Sequence, residues 1–287
     1  MQRKLPIIAI NGVVDKQVSP LDRGFTYGDG VFETCCMVNA KIPLWRFHRE
    51  RLIDSCDALL IPIQINIVEQ YLQQLIEQVQ STELTNAVVK IIVTRGEGGR
   101  GYRLPDVINP TICIGVFPAA VYPEDYNNRG VTVRVCNQQL GSNTSLAGLK
   151  HLNRLEHILA RAEWRDENIA EGLLLDTNGN LIEATVSNIF IVKDGSLLTP
   201  DLTQSGVAGV MRRFIMESVA SQLNVEPVIK KLTLDDLYSA DEVFLCNSVF
   251  GVWPVVQVVG EPACKFPVGK ITSQLQQLLI KALNALS

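Results

Sequence analysis

The chain has 287 residues, 47% of them hydrophobic and 20% charged, with a net charge of -4. That balance can bury a sizeable core in one large or two ordinary domains, and it excludes a disordered or fibrous chain. No block of like charge stands out, which argues against nucleic acid or an anionic membrane surface as the main partner, and no apolar run is long enough to cross a bilayer. The opening residues Met-Gln-Arg-Lys-Leu-Pro-Ile-Ile-Ala-Ile have a basic start but a short apolar stretch, so they read as a first strand rather than a secretory signal. Residues 31–38 read as a strand, Asn39-Ala40 as a turn, and residues 41–45 as a returning strand. Helical spacing runs through Phe47, Leu52, Cys56, Leu59 and Leu60 and stops before Pro62. A second amphipathic helix covers 68–79. Residues 87–94 and 111–117 are near-continuous apolar strands, separated by a loop rich in glycine and arginine at 95–102.

Residues 119–130, which follow Pro118, hold Pro123, polar residues and Gly130, and they read as a linker between an N-terminal α+β domain, 1–118, and a C-terminal α+β domain, 131–287. After it come a strand at 131–136, a helix at 151–164, and a hairpin over 173–182 turning at Asn178-Gly179. A strand at 187–193 turns at Asp194-Gly195. A helix at 211–223 and strands at 242–246 and 252–258 complete the pattern. Strands and helices without regular alternation point to α+β rather than a doubly wound sheet. The seven cysteines are odd in number and lack a C-x-x-C pair. They fit a reducing cytoplasm and neither a disulfide scaffold nor a zinc site.

Chemistry concentrates around Lys150, in Ser-Leu-Ala-Gly-Leu-Lys-His-Leu-Asn-Arg-Leu-Glu at 145–156. An amine among small and apolar neighbours is poorly hydrated, which favours its uncharged, nucleophilic form, although a snorkelling lysine on a first helical turn has the same pattern. If the helix has begun, Arg154 shares its face. Glu183 precedes an apolar strand, where a carboxylate can hold a proton on a pyridine nitrogen. Gly206-Val-Ala-Gly-Val-Met-Arg-Arg213 opens a helix, and glycines there let backbone N–H groups reach a phosphate. Arg51 can give a bidentate contact to phosphate, with Arg46 and Arg49 as rivals on spacing. Arg100 and Tyr102, in the glycine-rich loop, are suited to a substrate carboxylate.

Taken in order, Arg23-Gly-Phe-Thr-Tyr-Gly-Asp-Gly-Val-Phe-Glu-Thr34, His48-x-x-Arg51-Leu52, Lys150, Glu183-Ala-Thr-Val-Ser-Asn188 and Gly206 to Arg212 resemble the fold-type IV (class IV) pyridoxal-phosphate enzymes. The likeness runs from about residue 7 to residue 258. That family includes branched-chain and D-amino-acid aminotransferases and the aminodeoxychorismate lyases. Lys150-His-Leu-Asn-Arg-Leu-Glu156, the loop Thr94 to Tyr102, and Thr34 are similar to the lyase branch. Arg100 also matches the carboxylate-trapping arginine of the D-amino-acid aminotransferases.

The resemblance implies a two-domain α+β fold of the D-amino-acid aminotransferase type with pyridoxal 5'-phosphate between the domains. It implies Lys150 as the covalent attachment and base, Glu183 at the pyridine nitrogen, and Arg51, the N–H groups of Val210 and Met211, and Ser248 at the phosphate. It further implies Asn153 near the ring hydroxyl, Ser187 and Asn188 bracing the Glu183 strand, Thr34 at the departing group, and Arg100 and Tyr102 at substrate carboxylates. The implied reaction turns 4-amino-4-deoxychorismate into 4-aminobenzoate and pyruvate, as in folate biosynthesis, in a cytoplasmic homodimer. An aminotransferase is the alternative. A non-catalytic pyridoxal-phosphate-binding protein is disfavoured, because Lys150, Glu183 and Arg51 are all intact.

Overall fold

The computed structural model describes residues 6–80 and 84–286. The chain divides into two compact units. One takes the residues up to Ala120 together with Leu149–Asn153, and the other takes Val121–Gly148 and Arg154–Ala285. No helix among the described residues is long and apolar enough to cross a membrane.

The first unit contains β1 (Ile7–Ile10), β2 (Val13–Val14), α1 (Arg23–Tyr27), β3 (Gly30–Met37), α2 (Trp45–Ala58), α3 (Ile65–Gln80), β4 (Ala87–Thr94) and β5 (Thr111–Pro118). Its strands form an antiparallel sheet in the order β2-β1-β5-β4-β3. Alternation along β3 buries Val31, Glu33, Cys35 and Met37 and leaves Phe32, Thr34 and Cys36 half-buried. The apolar faces of α2 and α3, through Leu52, Cys56, Val68 and Leu72, share a core with Val31, Cys35, Met37 and Ile91. The expected returning strand at 41–45 is absent. Val38 and Lys41 make one isolated bridge, and Trp45 already opens α2, with the Trp45 N–H bonded to the Ile42 carbonyl.

β3 is an edge strand, and an edge carries backbone groups that need partners. Residues 150–152 supply them. The Phe32 N–H donates to the Lys150 carbonyl at 2.9 Å, the Leu152 N–H donates to the Gly30 carbonyl at 2.9 Å, and Val31 bridges His151 antiparallel. This corrects two expectations. Lys150 lies on an extended segment, so it shares no helical face with Arg154, and the helix starts later, as α5 (Leu155–Arg161) with Arg154 as its N-cap. Segment 149–153 also groups with the first unit, although the C-terminal domain was expected to carry the lysine.

The second unit contains α4 (Asp125–Asn128), β6 (Val131–Leu140), α5, β7 (Ile169–Asp176), β8 (Leu181–Ala184), β9 (Asn188–Lys193) and β10 (Ser196–Pro200). It continues with α6 (Val210–Phe214), a π turn and a 3-10 turn through Leu223, β11 (Pro227–Lys230), α7 (Leu234–Tyr238), β12 (Glu242–Asn247), β13 (Gly251–Val259), β14 (Cys264–Lys265) and α8 (Lys270–Leu286). The mixed sheet runs β11-β10-β9-β12-β13-β6-β7-β8, with β14 on β13. Phe190 and Phe244 stack at its centre, ring centroids 5.0 Å apart. The expected hairpin is β7–β8. Its turn has Gly179 at φ +81 and the Asp176 carboxylate accepting from the N–H groups of Asn178 and Asn180. The expected linker is not structureless. It carries α4, and Tyr126 and Tyr122 meet Trp253 edge-on at centroid distances of 5.0 and 4.8 Å.

One buried acid in this unit has no part in the proposed chemistry. Glu171 on β7 accepts from the Thr185 hydroxyl at 2.8 Å and the Val186 N–H at 3.4 Å. Burial outweighs these bonds and pushes its carboxyl up to about 7 from an ordinary 4.5. The folded state therefore binds the proton more tightly than the unfolded chain. The resulting stabilisation is complete below pH 4.5 and is lost as pH rises through 7. Glu171→Gln is expected to be more stable than the parent at pH 8, by up to about 3 kcal/mol. The margin should close at pH 4.5. Denaturant melts at the two pH values read the difference.

Candidate active site

β3 positions the first group of predicted residues. Lys150 is half-buried, with Nζ 4.4 Å from the centre of the Phe32 ring. Lys90 Nζ, from β4, lies 5.3 Å from the same ring. The ring face attracts ammonium groups and replaces part of their lost hydration. Thr34 stands two residues beyond Phe32 and so presents its hydroxyl on the same face, directly across from Lys90. Lys150, Phe32 and Thr34 thus line one side of one strand.

Glu33 points to the other side, where its side chain is 1% exposed. Its Oε1 accepts from Arg51 Nε at 2.8 Å, and its Oε2 accepts from Arg51 Nη2 and from His48 Nδ1, the latter at 2.6 Å. Burial pushes the Glu33 carboxyl up, but Arg51 and His48 outweigh it and bring the group to about 2. Burial lowers His48 despite the Glu33 carboxylate, and the charges of Arg51 and Lys150 lower it further, so His48 serves as a neutral N–H donor. Of the three candidate arginines, Arg51 is held by a fork-to-fork pair, while Arg46 pairs loosely with Glu50 and Arg49 reaches Glu69. The pair occupies the Nε–Nη2 edge. A phosphate on Arg51 would have to use the Nη1–Nη2 edge.

The glycine-rich loop is pinned rather than loose at its base. Arg95 donates to Asp29 and to the carbonyls of Leu59 and Leu60, and Arg23 donates to Asp29 and to the Gly101 carbonyl. The Gly101 N–H donates to the Tyr27 hydroxyl at 3.2 Å. Burial raises the Asp29 carboxyl, but Arg95 and Arg23 outweigh it and hold it below the usual carboxylate range. Beyond these anchors, Arg100 is exposed and Tyr102 is 85% exposed, its ring 5.6 Å from that of Tyr27. Asn153 is exposed and commits its amide nitrogen to the Gly28 carbonyl at 3.0 Å.

The second unit carries the other group. Glu183, near the end of β8, is buried. Its Oε1 lies 2.8 Å from His157 Nε2, and its Oε2 accepts from the Val207 N–H at 2.9 Å. Gly206 has φ +85, and a Cβ there would stand 2.7 Å from Ile182 Cγ2 and 3.4 Å from Glu183 Cδ. A Cβ on Gly209 would collide with Asn188 Oδ1, while Asn188 Nδ2 donates to the Val207 carbonyl at 2.8 Å. Asn188 therefore braces segment 207–209, and the Ser187 carbonyl accepts from the Ala184 N–H. Val210 and Met211 open α6 behind the N-cap Gly209, so their N–H groups are the first two of the helix, which helical geometry leaves without intrahelical acceptors. Ser248 is half-buried in the turn between β12 and β13. Among the described residues, the hydroxyls of Ser187 and Ser205 and the Nδ1 of His157 are buried without a hydrogen-bond partner.

Sequence reasoning missed Glu33 and His157 as partners of Arg51 and Glu183. Glu33 had a signal, since a carboxylate at an inward position of an apolar strand demands a cation. His157 had none, because the partner comes from another element.

The model of the amino-transferase class IV family matches residues 30–258. An aminodeoxychorismate lyase of Vibrio harveyi is 38% identical over 270 residues, covering 93% of this chain and 97% of that protein. The crystal structure of 4-amino-4-deoxychorismate lyase from Pseudomonas aeruginosa superposes with a TM-score of 0.89 at 41% identity, covering 96% of this chain and 98% of that one. The branched-chain-amino-acid aminotransferase of Escherichia coli K12 is 30% identical over 290 residues, covering 96% of this chain and 92% of that protein.

Proposed function

The chain belongs to the class IV aminotransferase family, and we propose that within it the protein is a pyridoxal-phosphate-dependent aminodeoxychorismate lyase. The observation that carries this reading is near-full-length identity of 38% and 41% to two such lyases, against 30% to the branched-chain enzyme. The residues present suit the cofactor. Gly206 and Gly209 keep side-chain bulk away from Glu183 and Asn188, and two buried serine hydroxyls have no partner of their own.

Pyridoxal phosphate, when bound, supplies an electron sink that makes the substrate C4 proton removable. In this reading Lys150 Nζ would hold the cofactor until the substrate's 4-amino group takes its place, the freed amine would then take the C4 proton, and Glu183 would hold a proton at the pyridine nitrogen. Arg51, oriented by Glu33, binds the phosphate together with the N–H groups of Val210 and Met211 and the Ser248 hydroxyl, while Asn153 lies towards the ring hydroxyl. As the C3–oxygen bond breaks, Thr34 gives a proton to the departing enolpyruvyl group, which becomes pyruvate, and the ring becomes 4-aminobenzoate. Atoms balance without water or an oxidant. Arg100 and Tyr102 hold the substrate carboxylates. Aromatisation drives the reaction, so the protein's main tasks are orientation and proton transfer.

The same reading includes a cytoplasmic homodimer. All seven cysteines are free thiols, as a reducing compartment keeps them. Burial pushes Cys56, Cys136 and Cys246 up to about 12, so they behave as small apolar side chains rather than nucleophiles. Leu155, Ile158 and Leu159 form an exposed apolar stripe on α5 that a second copy would cover.

The competing chemistry is transamination, which the likeness to the branched-chain enzyme favours. Product analysis separates the two. Supplied with aminodeoxychorismate, the protein is expected to release pyruvate and 4-aminobenzoate in equal amounts. Supplied with D-alanine or a branched-chain amino acid plus 2-oxoglutarate, it is expected to release far less keto acid. The reverse outcome overturns the lyase reading. Thr34→Val is expected to lower lyase kcat about 100-fold, the weight of one general acid, and to leave any transamination in place.

A further inference from the structure

We propose that His157 is a positioning residue for Glu183, fixing the carboxylate that is to meet the cofactor's pyridine nitrogen; this rests on the cofactor reading above. The first observation is the hydrogen bond of 2.8 Å between His157 Nε2 and Glu183 Oε1. Nε2 is thus the ring nitrogen committed to the carboxylate. The second observation is that the ring's other nitrogen, Nδ1, is buried with no partner.

An unpaired ring nitrogen in the interior costs free energy that a leucine at the same place would not. Packing alone therefore gives no reason for a histidine here, and the bond to Glu183 does. The third observation is the geometry on the other oxygen. Val207 N–H reaches Glu183 Oε2 at 2.9 Å, so the carboxylate is clamped at both ends by α5 and by the segment after Gly206, and its plane cannot rotate. α5 begins immediately after the extended segment that carries Lys150. One short stretch of chain thus supplies both the attachment point and the support for its acidic counterpart.

The test compares His157→Leu with His157→Gln, whose amide nitrogen can donate as Nε2 does. Pyridoxal phosphate is titrated into each cofactor-free protein, and the dissociation constant and visible absorption band are recorded. His157→Leu is expected to weaken cofactor binding about tenfold or more, as loss of a hydrogen bond to a charged group does, and to shift the visible band. The leucine leaves Glu183 Oε1 without that partner, so the cofactor-free melting temperature of each variant is recorded to show that it is folded before its affinity is read. His157→Gln is expected to restore both affinity and band. A leucine variant with parental affinity and spectrum overturns the inference, and so does a folded glutamine variant that restores neither. Parent protein that takes up no pyridoxal phosphate overturns the cofactor reading itself, a result distinguishable from the other two.

Discussion

Lys150→Ala is expected to abolish turnover, with a fall in kcat of at least about 10,000-fold. That is the upper end of what one positioned proton-transfer group contributes, with loss of the covalent tie added to it. The fold should survive. Residues 150–152 cover the edge of β3 through backbone groups, Phe32 N–H to the Lys150 carbonyl and Leu152 N–H to the Gly30 carbonyl, which alanine retains. What disappears is the amine-bearing side chain over the Phe32 ring. Circular dichroism and melting temperature should therefore stay near the parent values while the visible absorbance of the covalently held cofactor is lost. A Lys150→Ala protein with ordinary turnover would falsify the assignment.

Glu33→Leu is expected to destabilise the first unit by about 3–5 kcal/mol, the usual cost of removing one partner from a buried ion pair. The loss is large because Glu33 satisfies three donors: Arg51 Nε, Arg51 Nη2 and His48 Nδ1. Without the carboxylate, a nearly buried guanidinium loses its counter-charge. Urea melts of the parent and the variant measure the difference. The same carboxyl sets an acid limit on stability. Its folded-state pKa of about 2 lies below the ordinary 4.5, so its contribution is complete above pH 4.5 and is lost as pH falls towards 2. Over that window the parent should lose about 3 kcal/mol that Glu33→Leu does not lose. Cofactor affinity should also fall in Glu33→Leu, because Arg51 loses the group that orients it towards a phosphate.

Much of the molecule was legible in its residues because their patterns are local. The apolar runs at 87–94 and 111–117 became β4 and β5, almost to the residue, because a sheet buried on one face needs that alternation and density. Asn178-Gly179 and Asp194-Gly195 became hairpin turns because those residues tolerate positive φ, and Gly179, Asp194 and Gly195 adopt it. Other features were hidden. The linker's polar residues concealed α4, whose Tyr126 packs on Trp253 together with Tyr122 just before the helix, a contact with a residue far along the chain. The return strand at 41–45 had strand-like residues but no second row of partners, and the start of α2 won.

The ordered motifs, from Arg23 to Arg212, are properties of the chain itself, and with them came the family, the lysine, the carboxylate at 183 and the arginine at 51. Tertiary structure alone decided how those groups are held. It laid the segment around Lys150 along the edge of β3 in an isolated bridge, because that edge had hydrogen bonds to fill and a helix could not fill them. It also gave Arg51 its Glu33 and Glu183 its His157. Such pairings join residues separated by 18 and 26 positions. Each arises because a buried polar group must find its hydrogen-bond partner in space, wherever along the sequence that partner stands.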